Sequence, residues 1–107
     1  MVLTSPRLRY HRRVQLNFSA EVWFWRGPSP FHFVTVPPHE SDSIRTIAAS
    51  VTYGWGMVPC EVSVGRSRWE TSLWPRDGGY ILPLKSAVRR ADGIELGDEI
   101  DVELDVD

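Results

Sequence analysis

The sequence predicts a mainly β fold: a small barrel or pseudobarrel of about six strands with two short capping helices. Aromatic residues, which favour strands, are abundant, with five Trp, three Tyr and four Phe. Eight Gly and eight Pro supply tight turns between short strands. Apolar and polar residues alternate in several segments, as in a strand with one buried face. A chain of 107 residues is typical of one domain with one core.

The first two strands are expected over residues 14–25 and 31–36. Every even-numbered residue from Val14 to Phe24 is apolar, so these side chains share one face of the first strand. Glycine and proline separate the two segments, and a second pair of prolines ends the later one. The two strands are therefore predicted to pair as a hairpin.

Two short helices are predicted, over Ile44 to Ala49 and over Ser86 to Ala91. The Ser-Asp-Ser sequence at 41–43 offers side-chain oxygens that can cap the N-terminus of the first helix. After the second helix, Gly93 can adopt the left-handed conformation with which helices commonly end.

The remaining strands are predicted over 57–64, 66–74, 80–84 and 99–106. In the first and the last of these, apolar residues occupy every second position, and the last carries its carboxylates on the opposite face. The Asp-Gly-Gly sequence at 77–79 is a strong turn signal. The strands on either side of it are therefore expected to form a second hairpin.

Charge is unevenly distributed along the chain. The net charge is −2, but four arginines lie within the first 13 residues and seven acidic residues follow residue 94. Residues 1–13 are expected to be a flexible basic segment ahead of a single domain over 14–107. The lone Cys60 excludes an intrachain disulfide, and the sequence has neither the apolar stretch of a secretory signal nor that of a membrane span. These features predict a cytoplasmic protein.

Three stretches of the sequence carry a family resemblance: AEVWFWRGPSPFHFVTVP, YGWGMVPCEVSVG and RWETSLWPRDGGYILPLKSAVRRADGIELGDEIDVEL. They resemble a bacterial family catalogued as a domain of unknown function, number nineteen hundred and five, over nearly all of residues 18–104. The resemblance implies a double-split β-barrel similar to AbrB- and MazE-type proteins. AbrB-like chains complete a barrel by dimerising, whereas this chain has strands enough alone, so a monomer or weak homodimer is expected. The family implies no activity.

No set of catalytic side chains is recognisable. The three histidines, His11, His32 and His39, lack the spacing of a zinc site. Cys60 alternates with valines, which indicates a buried side chain rather than a nucleophile. Serine-hydrolase motifs and phosphate-binding loops are absent. No cofactor is expected, and a role other than catalysis is favoured.

A ligand site is predicted at the barrel end where the turn Gly54–Gly56 meets the strand from Arg66 to Trp74, with Lys85 nearby. Glycines let backbone approach a ligand, indoles offer flat faces, and hydroxyl and cationic groups orient an anion. Core packing of the same residues is the alternative, and Trp23, Trp25 and Trp74 are expected to pack beneath turns. The candidate ligand-binding residues are Trp55, Arg66, Arg68, Trp69, Thr71, Ser72 and Lys85.

Two functions stay open. The first, which the sequence favours, is a non-catalytic binding module for a small anionic or aromatic ligand. The second is an AbrB-like regulatory domain that binds DNA or a protein partner. The basic start and the AbrB-like ending favour the second, but an acidic chain lacks the broad basic surface that gains affinity by releasing counterions from DNA.

Overall fold

The structure of the protein is a computed structural model that describes residues 14–27, 31–51 and 56–106. The segment predicted to be flexible, residues 1–13, lies outside them. The described residues form six strands and two helices. The strands are β1 (Val14–Trp25), β2 (Phe31–Thr35), β3 (Val58–Val64), β4 (Ser67–Arg76), β5 (Gly79–Leu84) and β6 (Glu99–Val106), and the helices are α1 (Pro38–Val51) and α2 (Ser86–Asp92).

The six strands close into an antiparallel barrel in the order β1-β2-β5-β4-β3-β6. Two long strands are each shared between two partners. β1 pairs with β6 through residues 14–21 and with β2 through 22–25. β4 pairs with β3 through 67–73 and with β5 through 74–76. The predicted mainly β barrel with two short helices is confirmed.

Alternate side chains fill the barrel interior. The even-numbered residues predicted to face inward in β1, β3 and β6 are buried or half-buried, and their odd-numbered neighbours are generally more exposed. Cys60 is among the buried residues, as predicted. Helix α1 adds Ile44 and Ala48 to this core, and α2 adds Val88. The helices therefore pack on the barrel by their apolar faces.

Helix α1 begins at Pro38, six residues before the predicted start. A proline is favoured in the first turn of a helix because the N–H that it lacks would have no partner there. The Ser41 N–H already donates to the carbonyl of Pro37 (2.8 Å). The side chain of Ser41 is buried, and its hydroxyl donates to the carbonyl of Val36 (3.2 Å). Ser41 is thus inside the helix and does not cap it.

The β4–β5 turn is tighter than predicted. Asp77 and Gly78 both have positive φ, 51° and 81°, as a two-residue hairpin turn requires. Strand β4 therefore continues to Arg76, two residues past its predicted end, and carries that side chain into the sheet. At the end of α2, Gly93 has a φ of 62° and its N–H donates to the carbonyl of Arg89, as its predicted role requires.

Candidate ligand-binding surface

Aromatic side chains cluster on the outside of the barrel around β2. Because the even-numbered residues of β1 face inward, Trp23 and Trp25 face outward. Trp23 lies opposite Phe33 in the β1–β2 ladder, and Trp25 lies opposite Phe31. Strand β4 supplies two further members from the other side of β5. We call this surface the tryptophan face, and it comprises Trp23, Trp25, Phe31, Phe33, Trp74 and Arg76.

Phe33 lies at the centre of the tryptophan face. Its ring centroid is 5.2 Å from that of Trp23, 5.6 Å from that of Phe31 and 5.1 Å from that of Trp74. Phe33 is 1% exposed although it lies outside the barrel core. By contrast, Trp25 is 38% exposed and Trp74 is 41% exposed. Two indoles therefore face solvent above a covered phenyl ring, as at surfaces that bind partners or ligands.

The Arg76 guanidinium lies over both indoles of β1. Its central carbon is 5.2 Å from the ring centroid of Trp23 and 4.9 Å from that of Trp25, within the range of cation–π attraction. The Arg76 Nε is also 3.4 Å from a carboxylate oxygen of Asp77, whose side chain is largely exposed. The indoles and the carboxylate restrict this guanidinium in a partly exposed position, from which it can donate to a ligand.

Two cavities adjoin at Arg76 and Ile81, which line both. The smaller is an open hollow of about 120 Å³, and Trp25, Phe33 and Trp74 form its walls. This is close to the roughly 150 Å³ of a cavity known to hold benzene, so the hollow has the size of one aromatic ring. The larger, a cleft of about 370 Å³, runs between α1 and the β4–β5 turn. A ring-sized hollow therefore lies beside a larger cleft whose lining includes the charged side chains of Asp42, Arg45 and Arg76.

Arg45 in α1 fixes the far wall of the cleft. It donates to the Asp42 carboxylate (2.5 Å) and to the carbonyl of Gly78 in the β4–β5 turn. Close contact between α1 and the turn depends on Gly79, because a Cβ there would lie 3.2 Å from the Ser41 hydroxyl oxygen. The cleft thus has a wall that is tied to the same turn that positions Arg76.

Strand alternation separates four of the predicted site residues. Trp69 and Thr71 are half-buried on the inner side of β4, and Trp69 packs against the barrel core. Arg68 lies on the outer side, where its guanidinium donates to both carboxylate oxygens of Glu61 (3.1 and 3.3 Å). Ser72 has the same parity as Arg68. These four side chains therefore do not converge on one side of β4, because the barrel wall lies between the two pairs.

The other predicted site residues are dispersed. Arg66 lies in the β3–β4 turn, where its backbone N–H donates to Asp92 at the end of α2 (3.0 Å). Lys85 is the exposed N-cap residue before α2 and makes no side-chain capping hydrogen bond. The seven residues of α2 span about 10 Å, so the helix separates Lys85 from the Arg66 turn. Trp55 lies outside the described residues.

The expectation that Trp23, Trp25 and Trp74 pack beneath turns is wrong for two of them. Trp25 and Trp74 are among the most exposed large apolar side chains of the described residues. Trp23 is half-buried, and its indole N–H donates to the Thr35 hydroxyl (2.9 Å). The sequence alternation of β1 could have located Trp23 and Trp25, because a strand that turns Phe24 inward turns the residues on either side of it outward.

Two observations on the described residues concern thiol and metal chemistry. Burial raises the pKa of the Cys60 thiol to about 12, so a thiolate does not form near neutral pH. Among residues 14–27, 31–51 and 56–106, no three His, Cys, Asp or Glu side chains group as metal ligands would. Over those same residues, no helix has the length and apolar character needed to cross a membrane.

The fold and its outer surface define a small closed β-barrel domain that presents indoles and a guanidinium beside a cleft. The chain belongs to the family described as Domain of unknown function (DUF1905), whose model matches residues 18–104. The family resemblance read from the sequence is thereby confirmed. A search of curated proteins gave no match to this chain.

Proposed function

We propose that this domain is a non-catalytic binding module for a small aromatic anion, held on the tryptophan face. The observation that carries this proposal is the Arg76 guanidinium, placed over two indoles at the boundary between a ring-sized hollow and a larger cleft. The ring of the ligand stacks on Trp25 and Trp74. Its carboxylate or other anionic group accepts hydrogen bonds from Arg76.

The physical case depends on pre-organisation. An arginine that is already restricted loses less side-chain entropy on binding, and entropy loss is a main cost of association. The Trp74 side chain also contacts Phe33, so its indole is held in place by a buried ring. Each aromatic or cation–π contact is worth about 0.5–2 kcal/mol. Two or three such contacts together supply at most about 6 kcal/mol, which corresponds to a dissociation constant no tighter than roughly tens of micromolar.

The charge of the outer surface supports a nucleic-acid interface less well than it supports a site for a small ligand. The outward residues of β6 are carboxylates, and β3 and β4 add more beside them on the same side of the barrel. These groups would repel phosphates along much of the wall. The acidic residues concerned are Glu99, Asp101, Glu103, Asp105, Glu61 and Glu70.

The test is a titration of the full chain with indole-3-acetate, followed by the indole N–H signals in NMR and by thermal shift. The neutral analogue 3-methylindole separates stacking from charge recognition. Arg76→Gln is expected to weaken indole-3-acetate about ten-fold and to leave 3-methylindole nearly unchanged. Trp74→Ala is expected to weaken both.

Glu70→Gln is the matched control, because Glu70 lies on the outer side of the same strand but outside both cavities. It should bind like the wild type. Absence of saturable shifts in the Trp25 and Trp74 indole signals would refute the proposal, and so would equal weakening in Glu70→Gln and Arg76→Gln.

A further inference from the structure

His32 lies on the inner side of the β1–β2 hairpin. Phe24 pairs with His32 across the hairpin, and their rings contact edge to face with centroids 4.7 Å apart. On its other side, His32 pairs with Leu84, the last residue of β5. Because α2 begins two residues after Leu84, the imidazole lies at the end of the barrel that this helix covers.

Arg89 of α2 brings an unsatisfied donor to this end of the barrel. Its Nε–H is buried and has no hydrogen-bond partner. Burial, and then the nearby Arg89 charge, lower the pKa of His32. A buried N–H donor without an acceptor destabilises a protein because it has lost its hydrogen bonds to water. The cost in free energy is larger when the donor belongs to a charged group. The unpaired Arg89 Nε–H therefore indicates a site at which a bound ligand supplies the missing hydrogen-bond acceptor.

The depression beside Arg89 is lined by more positive than negative charge. Arg89 and Arg90 line an open depression of about 600 Å³ with the loop from Gly93 to Leu96, and Leu96 is 57% exposed. The guanidinium of Arg26 lies 6.0 Å from the ring centroid of Phe24. Glu95 is the carboxylate in the lining of the depression. Within the part of the chain that the structure describes, no salt bridge joins Arg26, Arg89 or Arg90 to an acidic side chain.

We infer that this depression is a binding site for the phosphate group of a small molecule, with the Arg89 Nε–H as its central donor and Arg90 beside it. A phosphate suits the place better than a carboxylate does, because it carries more charge and a third oxygen for several separate donors. The apolar surface of Leu96 is available to the rest of the ligand.

The phosphate site is distinct from the tryptophan face. Phe24 and His32 alternate along their strands with Trp23, Trp25, Phe31 and Phe33, so the two groups lie on opposite sides of the same hairpin. A substitution at one site can therefore be read without directly removing a contact at the other. The inference goes beyond the proposed function and does not depend on it.

The experiment is an NMR titration of the full chain with inorganic phosphate at neutral pH, with acetate in a parallel series at equal ionic strength. The observed signals are the Arg89 Nε–H and the His32 ring. Saturable shifts with phosphate are expected, with acetate at least about ten-fold weaker. Arg89→Gln is expected to weaken phosphate binding about ten-fold or more, and Glu95→Gln is expected to strengthen it by removing a like charge.

Arg68→Gln is the control, because it removes one positive charge from a guanidinium that is bonded to Glu61 on the outer side of β4 and that does not line the depression. It should bind phosphate as the wild type does. Arg89→Lys tests the same point if Arg89→Gln does not fold, since it keeps the charge and lacks the Nε–H. Undiminished binding by both Arg89 variants, absence of saturation in the wild type, or acetate binding as tight as phosphate would each overturn the inference.

Discussion

Gly27 lies against the indole ring of Trp25, and a Cβ at position 27 would overlap its Nε1, Cε2 and Cζ2 atoms. The ring therefore folds back over the chain that follows β1. That position also places it under the guanidinium of Arg76, 4.9 Å from the ring centroid. The absence of a side chain at residue 27 is thus a condition for the geometry of the tryptophan face.

Gly27→Ala is expected to displace the Trp25 indole and to weaken indole-3-acetate binding several-fold, because one of the two exposed stacking surfaces is lost. The measurement is the Trp25 indole N–H shift together with the binding titration. The indole N–H of Trp23, which donates to Thr35 (2.9 Å), serves as an internal reference that should not move. An unchanged Trp25 signal in this variant would show that a side chain at position 27 does not displace the Trp25 indole.

Phe33→Ala is expected to destabilise the protein by about 3 kcal/mol, as is usual for a buried phenylalanine that is truncated. Phe33 is 1% exposed, and three aromatic rings pack around it. Phe31→Ala, at a half-buried position on the same strand, is the comparison and should cost less. Urea unfolding of both variants measures the difference. A cost below about 1 kcal/mol for Phe33→Ala would mean that the outer cluster contributes little to the fold.

The strand pattern was predictable because a two-residue period is local. A buried face imposes it directly on the sequence, as in β6, where alternate residues are buried from Ile100 to Val106. The start of α1 was not predicted, because Pro38 was interpreted as the end of a strand. A proline is also a good first-turn helix residue, and the sequence pattern does not separate these two roles.

The candidate surface was only half predictable. Alternation alone turns Trp23 and Trp25 outward, but it does not show which strand lies beside them. The closed order β1-β2-β5-β4 is a tertiary property, and it brings Trp74 and Arg76 to the same face as residues about 50 positions earlier. The proximity of Arg89 in α2 to His32 in β2 is of the same kind. Such pairings depend on strand order rather than on local periodicity.

Asp92→Asn is expected to destabilise the protein at neutral pH. The Asp92 carboxylate accepts hydrogen bonds from the Ser67 hydroxyl (2.5 Å) and from the Arg66 N–H (3.0 Å), so it ties the β3–β4 turn to the end of α2. These two hydrogen bonds lower the pKa of Asp92 below its ordinary value of 3.8. The stabilisation is therefore fully present above pH 3.8 and is lost as the pH falls through the lower, folded-state pKa.

Urea unfolding of the wild type and Asp92→Asn at pH 7 and near pH 3 measures this effect. The difference between the two proteins should be larger at pH 7. Ser67→Ala removes the first-named donor and should reproduce part of the loss at pH 7. A difference that does not change with pH would contradict the assignment of the carboxylate as the acceptor.

The free energy of unfolding of the wild type should decrease as the pH falls below about 6.5. Part of this decrease should be absent in His32→Gln. Burial and the charge of Arg89 lower the pKa of His32 in the folded protein below its ordinary value of 6.5. As the pH falls, His32 is therefore protonated in the unfolded chain before it is protonated in the folded protein. The contribution of neutral His32 to stability is fully present above pH 6.5 and is lost as the pH falls toward the folded-state pKa. Urea unfolding between pH 8 and pH 5 should show a steeper decline for the wild type than for His32→Gln. His11 and His39 are present in both proteins and cancel in the comparison, so identical pH dependence would place His32 in an environment that does not disfavour its charge.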